Sequence, residues 1–84
     1  MGMSETRRYI LSEAAPGLEQ IWFTVSYGAK LSATTRMRDV VLIDFCVKIA
    51  DGSFAAFCDA SVCSLAEARR VWDDYITRGY VRIE

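Results

Sequence analysis

VVLIDFCVKIADGSFAAFCD, residues 40–59, decides how this chain can fold. Two apolar runs flank Asp51-Gly52, and an Asp-Gly pair in that setting is the strongest local signal for a β-hairpin. A two-residue type I′ turn between Ala50 and Ser53 places Ile49 opposite Phe54, Val47 opposite Ala56 and Phe45 opposite Cys58. Side chains alternate along a strand, so Val41, Ile43, Phe45, Val47 and Ile49 then share a face with Phe54, Ala56 and Cys58. All are apolar, which makes this the expected core face. The opposite face is mixed, with Val40, Leu42, Asp44, Cys46 and Lys48 set against Ala55 and Phe57. A slip of one residue would mix the faces, so this register is expected to be well specified.

Working outward, Arg8 to Leu11 reads as a short strand closed by Ser12 and the turn dipeptide Pro16-Gly17, behind a flexible N-terminus at residues 1–7. In residues 18–27, LEQIWFTVSY, Ile21, Phe23, Val25 and Tyr27 alternate with Trp22, Thr24 and Ser26, a β pattern rich in branched and aromatic residues. Residues 28–39 have no steady period and read as a long loop or a strand extension. Residues 59–63 read as a connector. Ser64-Leu65-Ala66-Glu67 is a capping-box signature, in which the Ser64 hydroxyl accepts the Glu67 amide and the Glu67 carboxylate reaches back to accept the Ser64 amide at a helix start. Leu65, Ala68, Val71, Trp72, Tyr75 and Ile76 follow at helical spacing, Asp74 and Arg78 stand in the favoured i, i+4 order, and Gly79 supplies the stop. A last strand is expected around Val81 and Ile83. The order β-β-β-β-α-β defines an α+β fold, a small antiparallel sheet of about five strands with one helix packed on one face.

At 84 residues the chain is one small domain, 1–84, with a core of modest size. Apolar residues and glycine make up just over half of it, above the ~45–50% usual for soluble domains, which leans toward burial between subunits. The formal net charge is −1 and the basic residues are scattered, so no domain-wide field favours nucleic acid or an anionic membrane. No apolar run approaches the ~20 residues of a membrane helix. Glu5, Arg7 and Arg8 stand where the apolar part of a signal peptide would begin. The reading is cytoplasmic. Three cysteines, an odd number, then read as reduced thiols.

Histidine is absent, so a serine or cysteine nucleophile lacks its commonest base and histidine-dependent metal motifs are excluded. The expectation is a non-enzyme with no cofactor and no metal. Cys58 and Cys63 have a poor zinc spacing, while Cys63, just before the helix, is placed where a helix N-terminus could lower a thiol pKa and make it reactive. The C-terminal helix ending in Arg78-Gly79-Tyr80 is similar to the end of WGR nucleic-acid-binding domains, but the Trp-Gly-Arg signature is absent and no family follows.

One helix covers one face of a sheet this size. The other face then offers Leu42, Cys46 and Phe57 with Trp22 from the preceding strand, bordered by Thr24, Ser26, Asp44 and Lys48. A contiguous apolar patch with a polar rim is an interaction surface. The primary expectation is a binding domain that forms a homo-oligomer through Trp22, Leu42, Asp44, Cys46 and Phe57. A second reading is a small-molecule ligand, apolar or cationic, held on that face or between subunits with Asp44 as the charge selector. A third, weaker reading is nucleic-acid contact through Arg7, Arg8, Arg36 and Arg38.

Overall fold

The computed structural model describes residues 5–29, 38–57 and 60–84. Strands β1 (Glu5–Ser12), β2 (Glu19–Ala29), β3 (Arg38–Lys48), β4 (Phe54–Ala56) and β5 (Ser61–Ser64) precede helix α1 (Leu65–Thr77), and β6 (Val81–Arg82) closes the chain. All pairings are antiparallel, in the order β4-β3-β2-β1-β6, with β5 also on β3. This is the expected α+β class. The first strand begins at Glu5, inside the stretch read as a flexible terminus.

The helix lies on one face. Leu11, Ile21, Phe23, Val25, Val41, Ile43 and Ala68 form the buried cluster, with Tyr9, Phe45, Leu65, Val71, Trp72 and Tyr75 packed against it. Cross-strand register explains the grouping: Leu11 faces Ile21, which faces Phe45, and Tyr9 faces Phe23, which faces Ile43. These rows put branched and aromatic side chains side by side, the unit of sheet stabilisation. The expected core positions Val41, Ile43 and Phe45 therefore hold. Ile76 and Ile49, also expected in the core, are exposed.

The helix starts as its cap dictates, with Ser64 Oγ accepting the Glu67 N–H at 3.2 Å. Its end is tied by the Asp74–Arg78 ion pair at 2.9 Å and by Gly79 at φ +98°, an αL stop open to glycine. Tyr80 N–H donates to the Tyr75 carbonyl, and the chain then turns back to pair β6 with β1.

The central hairpin departs from the expected register. Gly52 N–H donates to the Ile49 carbonyl, and Ile49 N–H donates to the Ser53 carbonyl, so the loop has three residues, 50–52. Among the described residues φ is positive only at glycines, including Gly52 at +87°, so Asp51 does not adopt the conformation a type I′ turn demands. Its carboxylate instead accepts the Ser53 amide at 2.8 Å and the Ser53 hydroxyl. This is the three-residue hairpin with glycine at the αL position.

The extra loop residue shifts the second strand by one. Cys46 faces Ala56, Val47 faces Ala55 and Lys48 faces Phe54. Phe54 and Ala56 thus leave the core face for the mixed one, and Ala55 takes their place. Phe57 N–H donates to the Phe45 carbonyl, so Phe57 stands opposite Phe45 and not Cys46. Cys58, the remaining member of the expected core face, lies outside the described residues.

The connector before the helix is also a strand. Ser61 to Ser64 pair with Ile43 to Val40 along the same edge of β3 that β4 occupies, with the register offset by two residues relative to β4. The two short strands thus share one edge of β3 in two different registers. None of the described helices is long and apolar enough to cross a membrane.

Candidate functional site

The face turned away from α1 is built by alternation on each strand. It carries Arg8, Ile10 and Ser12 from β1, Gln20, Trp22 and Thr24 from β2, and Leu42, Asp44, Cys46 and Lys48 from β3. Val62 from β5 stands opposite Leu42, and Val81 from β6 stands opposite Ser12. Two apolar rows result. Ile10 faces Trp22, with Ile83 beside it through the Ile83 N–H donated to the Ile10 carbonyl. One step along, Thr24, Leu42 and Val62 line up across three strands.

Exposure divides these residues. Leu42, Val62, Val81 and Ile83 are exposed, Val62 at 60% and Leu42 at 38%. Trp22 and Asp44 are half-buried. Ile10 and Cys46 are both buried, at 6% and 2% exposure. Cys46 therefore underlies the surface without being part of what a partner would touch. Phe57 is 57% exposed but sits opposite Phe45, off this face. The structure brings Trp22, Leu42 and Asp44 together and adds the exposed Val62, Val81 and Ile83, with Ile10 buried beneath them as Cys46 is. The sequence pattern could have found Val62 only if Ser61 to Ser64 had been read as a strand.

Trp22 is held as a fixed platform. Its indole N–H donates to Gln20 Oε1 at 2.8 Å, and the Arg8 guanidinium lies 4.7 Å from the ring centroid. A stacked guanidinium on an indole is a favourable cation–π contact. Asp44 stands beside Trp22 in the next strand, and it forms no ion pair with Lys48 among the described residues.

Of the arginines read as a phosphate patch, Arg7 and Arg8 diverge. Arg7 and Arg8 are adjacent on β1, so alternation sends them to opposite faces, Arg8 to Trp22 and Arg7 to the Tyr9 hydroxyl. Arg36 lies outside the described residues, and of Arg38 only the backbone, paired with Ala29, is described. Cys63 stands opposite Val41 on the helix face. Burial first, and the Glu67 carboxylate second, push its thiol pKa up, opposite to the direction expected from the helix N-terminus. Among the described residues no cluster of candidate metal ligands forms.

A second feature lies on the helix face and had no single motif to announce it. A cleft of about 550 Å³ opens between α1 and the sheet, floored by Tyr9, Phe23, Val25, Tyr27 and Val41. The helix supplies Leu65, Ala68, Arg69, Trp72 and Asp73, and β6 supplies Arg82. The helix positions follow the i, i+3, i+4, i+7, i+8 spacing of one stripe. Ala68 is the small member that leaves room. Trp72 meets Phe23 at 5.1 Å and Tyr9 at 6.4 Å, both edge to face, a preferred arrangement for aromatic pairs. The Arg82 guanidinium lies 5.3 Å from the Tyr9 ring.

At the outer end of the cleft two phenols and a guanidinium meet. The Arg7 hydrogen bond, then that of Tyr27, holds the Tyr9 hydroxyl below its ordinary value, while the bond to Tyr9 followed by burial raises that of Tyr27. The pair thus shares a hydrogen bond that favours charge on Tyr9.

No protein-family model, curated protein or solved structure matches this chain.

Proposed function

We propose that this chain is a self-associating interaction domain, with the sheet face opposite α1 forming a two-fold interface with a second copy. The observation that carries the reading is the exposed Leu42–Val62 pair, directly opposed on β3 and β5 beside the Ile10–Trp22 row. Trp22 is pre-ordered by Gln20 and Arg8, which lowers the entropy lost on binding. The surroundings contain Arg8, Lys48 and Asp44, both signs of charge, as a self-complementary surface requires.

Size supports the same reading. Six strands about 4.8 Å apart, three of them eight to eleven residues long and three of two to four residues, rising about 3.4 Å per residue, present roughly 600–650 Å² in plan. A standard interface takes about 800 Å² of accessible surface per partner, and a pleated surface exposes more than its plan area. The face is large enough.

The test is solution mass by light scattering across a dilution series, on the parent and on the double variant Leu42→Thr, Val62→Lys. Both replacements suit strands, and lysine is well tolerated on an edge. Fully burying a leucine or valine contributes about 1.5–3 kcal/mol. The exposed fractions, 38% and 60%, correspond to about 1 kcal/mol per residue. With both residues present in two copies, the variant loses about 4 kcal/mol, roughly a thousandfold in Kd. A parent that stays monomeric at every concentration, or a variant that associates as well as the parent, removes this interface.

A further inference from the structure

We infer that the aromatic cleft between α1 and the sheet is a binding site for a planar aromatic molecule carrying an anionic group. It lies on the opposite side of the sheet from the proposed interface, so it stands or falls independently and stays accessible in a dimer.

A volume of about 550 Å³ falls within the range of small-molecule sites, which are mostly apolar with a few convergent polar groups. The walls are rings: Phe23 is buried, and Tyr9, Tyr27 and Trp72 are half-buried, so each presents surface to the cleft. Trp72 is fixed by its edge contacts with Phe23 and Tyr9. A flat, rigid aromatic occupant matches such walls because stacking on ordered rings costs little side-chain entropy.

Charge selects the class. Arg69 and Arg82 line the cleft against one carboxylate, Asp73. Arg69 and Asp73 are spaced i, i+4, yet the ion pair found among the described residues is Asp74–Arg78 and not this one. Arg82 is engaged with the Tyr9 ring, and no described carboxylate bridges it. Two guanidinium groups that pair with no carboxylate among the described residues, beside an apolar slot, provide forked donors for a carboxylate or phosphate oxygen pair. The anionic group would sit at the rim between Arg69 and Arg82, with the ring plane stacked on Trp72 and its edge toward Tyr9, whose ring stands nearly perpendicular to that of Trp72.

The experiment uses the chain's two tryptophans as opposite-face reporters. In the full chain labelled with ¹⁵N, the indole N–H signals of Trp72 and Trp22 are followed during titration with 2-naphthoate, and separately with 2-naphthylmethylamine, the same ring carrying a cation. The expected result is a saturable shift of the Trp72 signal with naphthoate, little movement of Trp22, and binding of the amine at least about fivefold weaker. Arg69→Gln should weaken naphthoate about fivefold, while Asp73→Asn should strengthen it by a smaller factor. Both positions are exposed on the helix, and retained dispersion of the remaining signals verifies folding. Three results overturn the proposal: no saturable Trp72 shift at millimolar naphthoate, equal movement of both tryptophans, or equal affinity for amine and carboxylate.

Discussion

Replacing Asp51 with glycine separates the two possible turns of the central hairpin by sign. In a two-residue type I′ turn Asp51 would occupy the left-handed region, where a non-glycine residue costs about 1–2 kcal/mol, so glycine would stabilise the protein. In the three-residue loop observed, Asp51 has negative φ and its carboxylate accepts both the amide and the hydroxyl of Ser53. Removing it forfeits two exposed hydrogen bonds at about 0.5 kcal/mol each. Added backbone freedom in the unfolded chain costs a further ~0.5–1 kcal/mol. Asp51→Gly should thus destabilise by about 1.5–2 kcal/mol. Gly52→Ala provides the companion measurement. A Cβ at position 52 meets nothing within 4 Å, so the cost is the backbone penalty at φ +87° alone, about 1–2 kcal/mol. Urea unfolding followed by far-ultraviolet circular dichroism, at one fixed protein concentration, reads both. With an m-value of about 1 kcal/mol/M, each variant should lower the midpoint by about 1–2 M. A midpoint that rises for Asp51→Gly refutes the three-residue loop, and with it the assignment of Phe54 and Ala56 to the face opposite α1.

Two further outcomes follow from the local electrostatics. The Ser53 donors hold the Asp51 carboxyl below its ordinary value of 3.8, so its contribution is present above that value and is lost as pH falls through the depressed folded value. The parent should lose more stability than Asp51→Asn across that acid window, and parallel pH profiles would show that the Ser53 contacts are absent in solution. Cys63, with its pKa raised by burial and by Glu67, should be alkylated by iodoacetamide at neutral pH more slowly than glutathione. Faster labelling, mapped by mass spectrometry, would restore the reactive-thiol reading.

Much of this architecture is written in short-range signals. Ser64 and Glu67, three residues apart, set the helix start, and Gly79 sets its end, because caps satisfy backbone groups within a single turn. The alternation from Ile21 to Tyr27 and from Val41 to Phe45 names the core face, because side-chain direction in a strand is a local property. Asp51-Gly52 marks the turn, and that mark is equally compatible with two- and three-residue loops. What separates them is a one-residue difference in pairing, and that choice carries Phe54, Ala56 and Phe57 to different faces.

Sequence alone therefore determined the α+β class, the helix and its caps, the existence of the hairpin and the main core residues. Tertiary structure decided which residues the open face presents. Ser61 to Ser64 become a strand because the long edge of β3 beyond β4 still has hydrogen-bonding groups to satisfy. That pairing is what brings Val62 to Leu42. The cleft likewise exists only once Ala68 is set over Tyr9, Phe23 and Val41, residues from three strands far apart in the chain. Periodicity records which way a side chain points. Its neighbour across the sheet is set by long-range pairing, which no short window of the chain contains.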